Sequence, residues 1–239
     1  MISLGNGGFT MLWFALSYAI ISTLVFIFVE TKMKKPLLAW VLKGCASFGF
    51  IFVFAVAFYS KLDDSINLSF SVFLLLGLVC GMLGDLVLAL RPLQPKEHDK
   101  TIIVYGILFF SLGHIFYLIA LITFKEFGSL SLILGLIMLP VILAMSKVMG
   151  FDMGKARIPT FIYTFLIFAM VGESIYVGHL ANYPTFTTLM ILGAILFAIS
   201  DLILAPIYYK SDNRAFLVAS NLLTYYAAQL LIALSIYYL

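Results

Sequence analysis

The chain has 239 residues, of which 64% are hydrophobic and only 10% charged, and its mean hydropathy is +1.14. A water-soluble domain carries roughly 25% charged residues, so a fold with an aqueous surface on all sides is excluded. The net charge of +3 resides mainly in lysines and arginines between apolar runs, and needs no nucleic-acid partner.

Eight apolar segments follow one another: Phe9–Val29, Leu37–Tyr59, Ser69–Leu90, Thr101–Thr123, Gly128–Ser146, Ile158–Leu180, Pro184–Tyr209 and Ala215–Tyr238. Each has about the 20 residues with which a helix crosses a bilayer. The fifth is the weakest, with Pro140 inside it. The expected fold is an all-α membrane protein of eight transmembrane helices, one domain over 1–239, with no length left for a soluble domain. No basic residue precedes the first apolar run, which favours a retained first span over a cleaved signal peptide. Cys45 and Cys80 lie inside apolar runs and suggest packing rather than a disulfide framework.

The basic residues predict orientation. Lys32, Lys34, Lys35, Arg91, Lys96, Lys100, Lys147, Lys155, Arg157, Lys210 and Arg214 follow odd-numbered spans, whereas only Lys61 and Lys125 follow even-numbered ones. Positive charge marks the cytoplasmic side, so both termini are expected outside a multi-pass protein of a plasma membrane, the inner membrane in a bacterium.

Spans 3 and 7 share a pattern. GLVCGMLGDLVLAL begins at Gly77 and GAILFAISDLILAP at Gly193; aligned without gaps, they match a glycine, an aspartate with its following leucine, and a Leu-Ala pair. The offset of 116 residues corresponds to four helices, which preserves orientation. Two readings stand: a parallel 4+4 duplication giving one aspartate per copy, and chance resemblance between leucine-rich helices.

Those aspartates, Asp85 and Asp201, carry the sharpest functional signal. An Asp at mid-helix costs roughly 2.5 kcal/mol or more to insert, so it turns inward. Asp85 shares a helix face with Gly81 and Gly77, and Asp201 with Ala198 and Ala194; small residues there permit close helix packing. Lys43, inside span 2, stands at similar depth, where it either pairs with Asp85 or snorkels to the surface. His114 in span 4, Tyr163 and Glu173 in span 6, and the stripe Asn221, Tyr225 and Gln229 in span 8 form a second tier. Inter-helix hydrogen bonding is the plain alternative for each. His179 is expected at the outer boundary. The chain has no HExxH, no Cys pair and no GxSxG, so neither a metal, a cofactor nor a serine nucleophile is expected. Two buried carboxyl groups suggest instead a matched acid and base. That chemistry suits an acid-labile bond in a lipid.

GLVCGMLGDLVLAL in span 3, YGILFFSLGHIFYLIAL in span 4, GAILFAISDLILA in span 7 and YYAAQLLIALS in span 8 resemble the YhhN family, whose animal members include lysoplasmalogenases. Lys43 and the Pro159–Tyr163 stretch also fit, and the likeness covers nearly the whole chain. The resemblance implies hydrolysis of the vinyl ether bond of lysoplasmalogen-type lysophospholipids to a fatty aldehyde and glycerophospho-ethanolamine or -choline, with Asp85 and Asp201 as the catalytic pair and His114 as the family's histidine. Its implied partners are the lysophospholipid substrate and membrane lipids. Asp85 and Asp201 receive no separate roles from sequence. A small proton-coupled transporter is the main alternative, and a receptor without chemistry the third.

Overall fold

In lipid, backbone amides have no water to bond to, so a spanning segment must satisfy them within itself, as a helix does. The computed structural model describes residues 5–33, 35–62 and 67–239. Among these residues the long helices are α1 (Gly5–Phe28), α2 (Pro36–Tyr59), α3 (Leu68–Leu88), α4 (Asp99–Phe124), α5 (Ser129–Met149), α6 (Arg157–Leu180), α7 (Thr185–Tyr209) and α8 (Ala215–Ser235). Each is long and apolar enough to cross a membrane. At 1.5 Å per residue, their 21 to 26 residues extend about 32 to 39 Å, enough for a hydrocarbon core of about 30 Å. The protein is therefore an integral, multi-pass helical membrane protein.

The ends shift from the sequence expectation by a few residues, for local reasons. After α1 the helix widens into a π-helical turn, Val29–Met33, and α8 ends in a 3₁₀ turn, Ile236–Tyr238. Pro140 lies inside α5 without ending it, as proline is tolerated in transmembrane helices whose surroundings re-satisfy the freed backbone groups. That helix runs on to Met149, where Gly150 at φ 65° turns the chain and the Phe151 amide donates to the Ser146 carbonyl at 2.9 Å.

Six helices close a ring in the order α2, α3, α4, α6, α7, α8, each packed on the next and α8 back on α2. The other two lie outside it, α1 chiefly against α2 and α5 against α6. These principal interfaces repeat under a shift of four helices: α1–α2 corresponds to α5–α6, α3–α4 to α7–α8, α2–α3 to α6–α7, and α8–α2 to α4–α6. A duplicated four-helix unit would leave this packing; a smaller contact of α1 with α8 has no principal counterpart.

Large apolar side chains such as Trp13, Phe14, Leu136 and Ile137 are exposed on the outer helices, as lipid-facing residues are. The ring interior holds the buried polar groups Lys43, Ser47, Asp85, His114, Asn221 and Gln229. The antiparallel succession of helices gathers Lys32, Lys35, Arg91, Lys96, Lys100, Lys147, Lys155, Arg157, Lys210 and Arg214 at one end of the bundle. Lys34 lies outside the described residues.

Candidate active site

The glycines of α3 decide how the site is built. A Cβ at Gly77 would lie 2.2 Å from the Tyr117 ring of α4, and one at Gly81 would lie 2.5 Å from the Gln229 amide nitrogen of α8. Without those side chains α4 and α8 close on α3, so Asp85, one turn beyond Gly81, faces the ring interior and is 3% exposed.

Two partners hold Asp85 from α2. The Lys43 Nζ is 3.2 Å from its Oδ1, and the Ser47 hydroxyl donates to its Oδ2 at 2.6 Å. Lys43 therefore pairs rather than snorkels, and its position one turn before Ser47 sets both on one face of α2. The Tyr226 hydroxyl lies 3.2 Å from Ser47 Oγ, while Tyr225 interacts directly with the Asp85 carboxylate. From Tyr225 the network continues: Gln229 donates to its hydroxyl at 3.2 Å, and Tyr117 donates to the Gln229 carbonyl at 2.8 Å. Polar groups of three helices, α2, α4 and α8, thus form one network around a carboxylate of α3.

Asp201 is placed differently. Its neighbour is the Tyr163 hydroxyl of α6. No cation pairs with it among the described residues, and its buried Oδ2 has no hydrogen-bond partner. It lines a pocket of about 70 Å³ between α4, α5, α6 and α7. The walls are mostly apolar, including Ile142, Met145, Ile167 and Leu202. Two of the polar wall groups bind each other, Thr160 and Tyr209, whose oxygens are 2.6 Å apart. Both α5 and α7 contribute walls, yet no principal interface joins them among the described residues. Tyr163 stands within electrostatic range of both carboxyl groups.

His114 is 1% exposed, and its ring meets Phe197 and Tyr163 edge-on at 4.6 and 5.4 Å between centroids. Its Nδ1 donates to the Phe110 carbonyl at 2.9 Å, whereas Nε2 is buried without a partner. The aromatic contact joins it to the Asp201 side through Tyr163.

Two sequence candidates lie elsewhere. Glu173 is buried but accepts from the Gly128 amide at 3.2 Å and from the Ser131 hydroxyl, so it anchors the start of α5. It lies ten residues beyond Tyr163, about 15 Å along α6. Asn221 donates to the Ser200 carbonyl and hydroxyl at 2.8 and 2.9 Å, clamping α8 to α7 beside Asp201 rather than facing the pocket. His179 stands exposed in the last turn of α6.

Sequence reasoning missed Ser47 and Tyr226. A signal for Ser47 was available: it precedes Tyr163 by the same 116 residues that separate Asp85 from Asp201. Each aspartate therefore has its hydroxyl neighbour at the corresponding place in the two halves. Lys43 has Pro159 at that offset, so the cation belongs to one half only.

A model of the YhhN family matches residues 38–236, from the start of α2 to the end of α8. The chain belongs to the YhhN family. The match spans the six-helix ring and every residue of the candidate site. No curated protein and no solved structure matches this YhhN chain.

Proposed function

We propose that this YhhN protein is an intramembrane hydrolase that cleaves the vinyl ether bond of lysoplasmalogen-type lysophospholipids. The products are a fatty aldehyde and glycerophospho-ethanolamine or -choline. Family membership supports the reaction class, and one structural observation carries the mechanism. Asp85 has a cation and a hydroxyl donor, whereas among the described residues Asp201 has no cation and lines a mostly apolar pocket.

The asymmetry supports distinct roles. Asp201, with apolar walls and no counter-charge among the described residues, supplies the proton, and Asp85, held by Lys43, serves as the anion. Asp201 protonates the vinyl carbon distal to the ether oxygen, and the double-bond electrons form the new C–H bond. The resulting oxocarbenium ion is stabilised by the negative field of Asp85. Water adds to its carbon, and the proton released returns to Asp201. The hemiacetal then breaks its carbon–oxygen bond to the glycerol, giving alcohol and aldehyde. Tyr163 orients the Asp201 carboxyl group, and the pocket receives the hydrocarbon chain. The basic end of the bundle is placed in the cytoplasm by the positive-inside rule.

Aldehyde release by purified protein from lysoplasmenyl-ethanolamine tests this reading. Asp85→Asn and Asp201→Asn should each reduce it by about 10²- to 10⁴-fold while the variants still fold, and a chelator should leave it unchanged. The four-helix repeat in packing also suits a proton-coupled carrier. No aldehyde from any of several lysolipids, with proton-dependent solute uptake by vesicles containing the protein, would favour that second reading.

A further inference from the structure

We infer that Arg91 and Tyr208 form a head-group site at the basic end of the pocket and select lipids that carry a phosphate. The substrate named rests on the hydrolase reading, whereas the binding experiment below does not.

Tyr208 is part of the pocket wall, and the Arg91 guanidinium carbon lies 4.2 Å from its ring centroid. Arg91 follows Leu88, another wall residue, by three positions. Its Nε and Nη2 donate to the two Asp99 oxygens at 2.6 and 2.8 Å. Those bonds and the ring fix the plane of the guanidinium. A guanidinium carries five N–H donors in a rigid fork, so binding Asp99 does not exhaust it. The pocket thus offers apolar walls for a chain, one carboxyl group inside, and the Arg91 cation against its Tyr208 wall.

Spacing supports a phosphate rather than an anion at the chain end itself. Asp201 and Tyr208 are seven residues apart on α7, about 10 Å along the axis. In a lysoplasmalogen six bonds separate the vinyl ether carbon bonded to oxygen from the phosphorus. An extended chain advances about 1.2 Å per bond, so these atoms stand about 7 Å apart. A vinyl ether beside Asp201 therefore brings its phosphate within side-chain reach of Arg91. An arginine fork recognises such an oxyanion through two parallel bonds.

Thermal stabilisation in detergent tests the site without requiring turnover. Lysophosphatidylethanolamine should stabilise the wild type more than monoacylglycerol of the same chain length, and inorganic phosphate alone should not. Arg91→Gln should abolish the difference between the two lipids. Asp99→Asn, which releases the guanidinium, should keep or enlarge it and provides a second test if Arg91→Gln fails to fold. In turnover, Arg91→Gln should raise KM for lysoplasmenyl-ethanolamine by roughly tenfold or more, with little change for 1-alkenylglycerol, which lacks phosphate. Equal stabilisation by both lipids, an undiminished preference in Arg91→Gln, loss of the preference in Asp99→Asn, or an equal response to inorganic phosphate would overturn the inference. Lipid discrimination lost in Arg91→Gln, with no aldehyde from either vinyl ether, would leave the site standing and remove the hydrolase reading.

Discussion

Replacing Lys43 with methionine preserves much of the side chain's length while removing its charge, leaving Asp85 buried with Ser47 and Tyr225 as its nearest polar partners. At the observed 3.2 Å, and with an effective dielectric constant of about 20, the lost attraction is about 5 kcal/mol before desolvation. Removing one partner of a buried pair typically costs about 3–5 kcal/mol. We therefore predict that Lys43→Met loses roughly 3 kcal/mol, visible as a lower melting temperature in detergent. Adding Asp85→Asn to Lys43→Met should restore part of that loss, because no buried charge then remains unpaired. The four proteins form a double-mutant cycle that isolates the pair from packing changes. A coupling below about 0.5 kcal/mol, within the additivity expected of independent sites, would refute the argument that Lys43 stabilises Asp85 as an anion.

Tyr163→Phe keeps the ring against His114 but removes the hydroxyl beside Asp201. Aldehyde release should fall by about tenfold to a hundredfold, with melting nearly unchanged; full activity would remove Tyr163 from the mechanism. Glu173→Ala strands the Gly128 amide and the Ser131 hydroxyl, so stability should fall by about 1–3 kcal/mol. Turnover of the folded protein should persist, and its selective loss would show that Glu173 reaches the chemistry. A Cβ at Gly172 meets the Leu130 carbonyl oxygen at 2.6 Å, whereas one at Gly81 meets the end of Gln229 at 2.5 Å. Gly172→Ala should therefore cost about 1–3 kcal/mol or more, while Gly81→Ala should chiefly disturb Gln229 and Tyr225 and lower activity. Similar melting and turnover in these two variants would contradict that distinction.

The spans and the inward-turned aspartates were legible because lipid makes apolar length and isolated charge unambiguous. Lys43 could be located in depth, but its choice between Asp85 and the surface depends on how closely α2 approaches α3, which periodicity does not state. Glu173 had the same sequence credentials as Asp85, being a lone acid in a long apolar helix. Its different environment comes from α5, whose Gly128 and Ser131 happen to start beside it. Ser47 is inconspicuous because a serine fits a transmembrane helix at little cost, and only its place in the repeat distinguishes it. The unequal surroundings of Asp85 and Asp201 arise from residues far apart in the chain, so the similar GD and SD helices concealed them.

The outer position of α5 separates two demands on the molecule. Its principal helix interface is with α6, yet Ile142 and Met145 on it touch the pocket that Asp201 faces. The six ring helices, by contrast, each have two ring neighbours and together fix Lys43, Ser47 and both aspartates. On the proposed hydrolase reading, bulk on α5 can therefore be traded against the length or kinking of a hydrocarbon tail without redrawing the charged centre. Related chains could diversify their lipid preference on this flank while keeping the same chemistry.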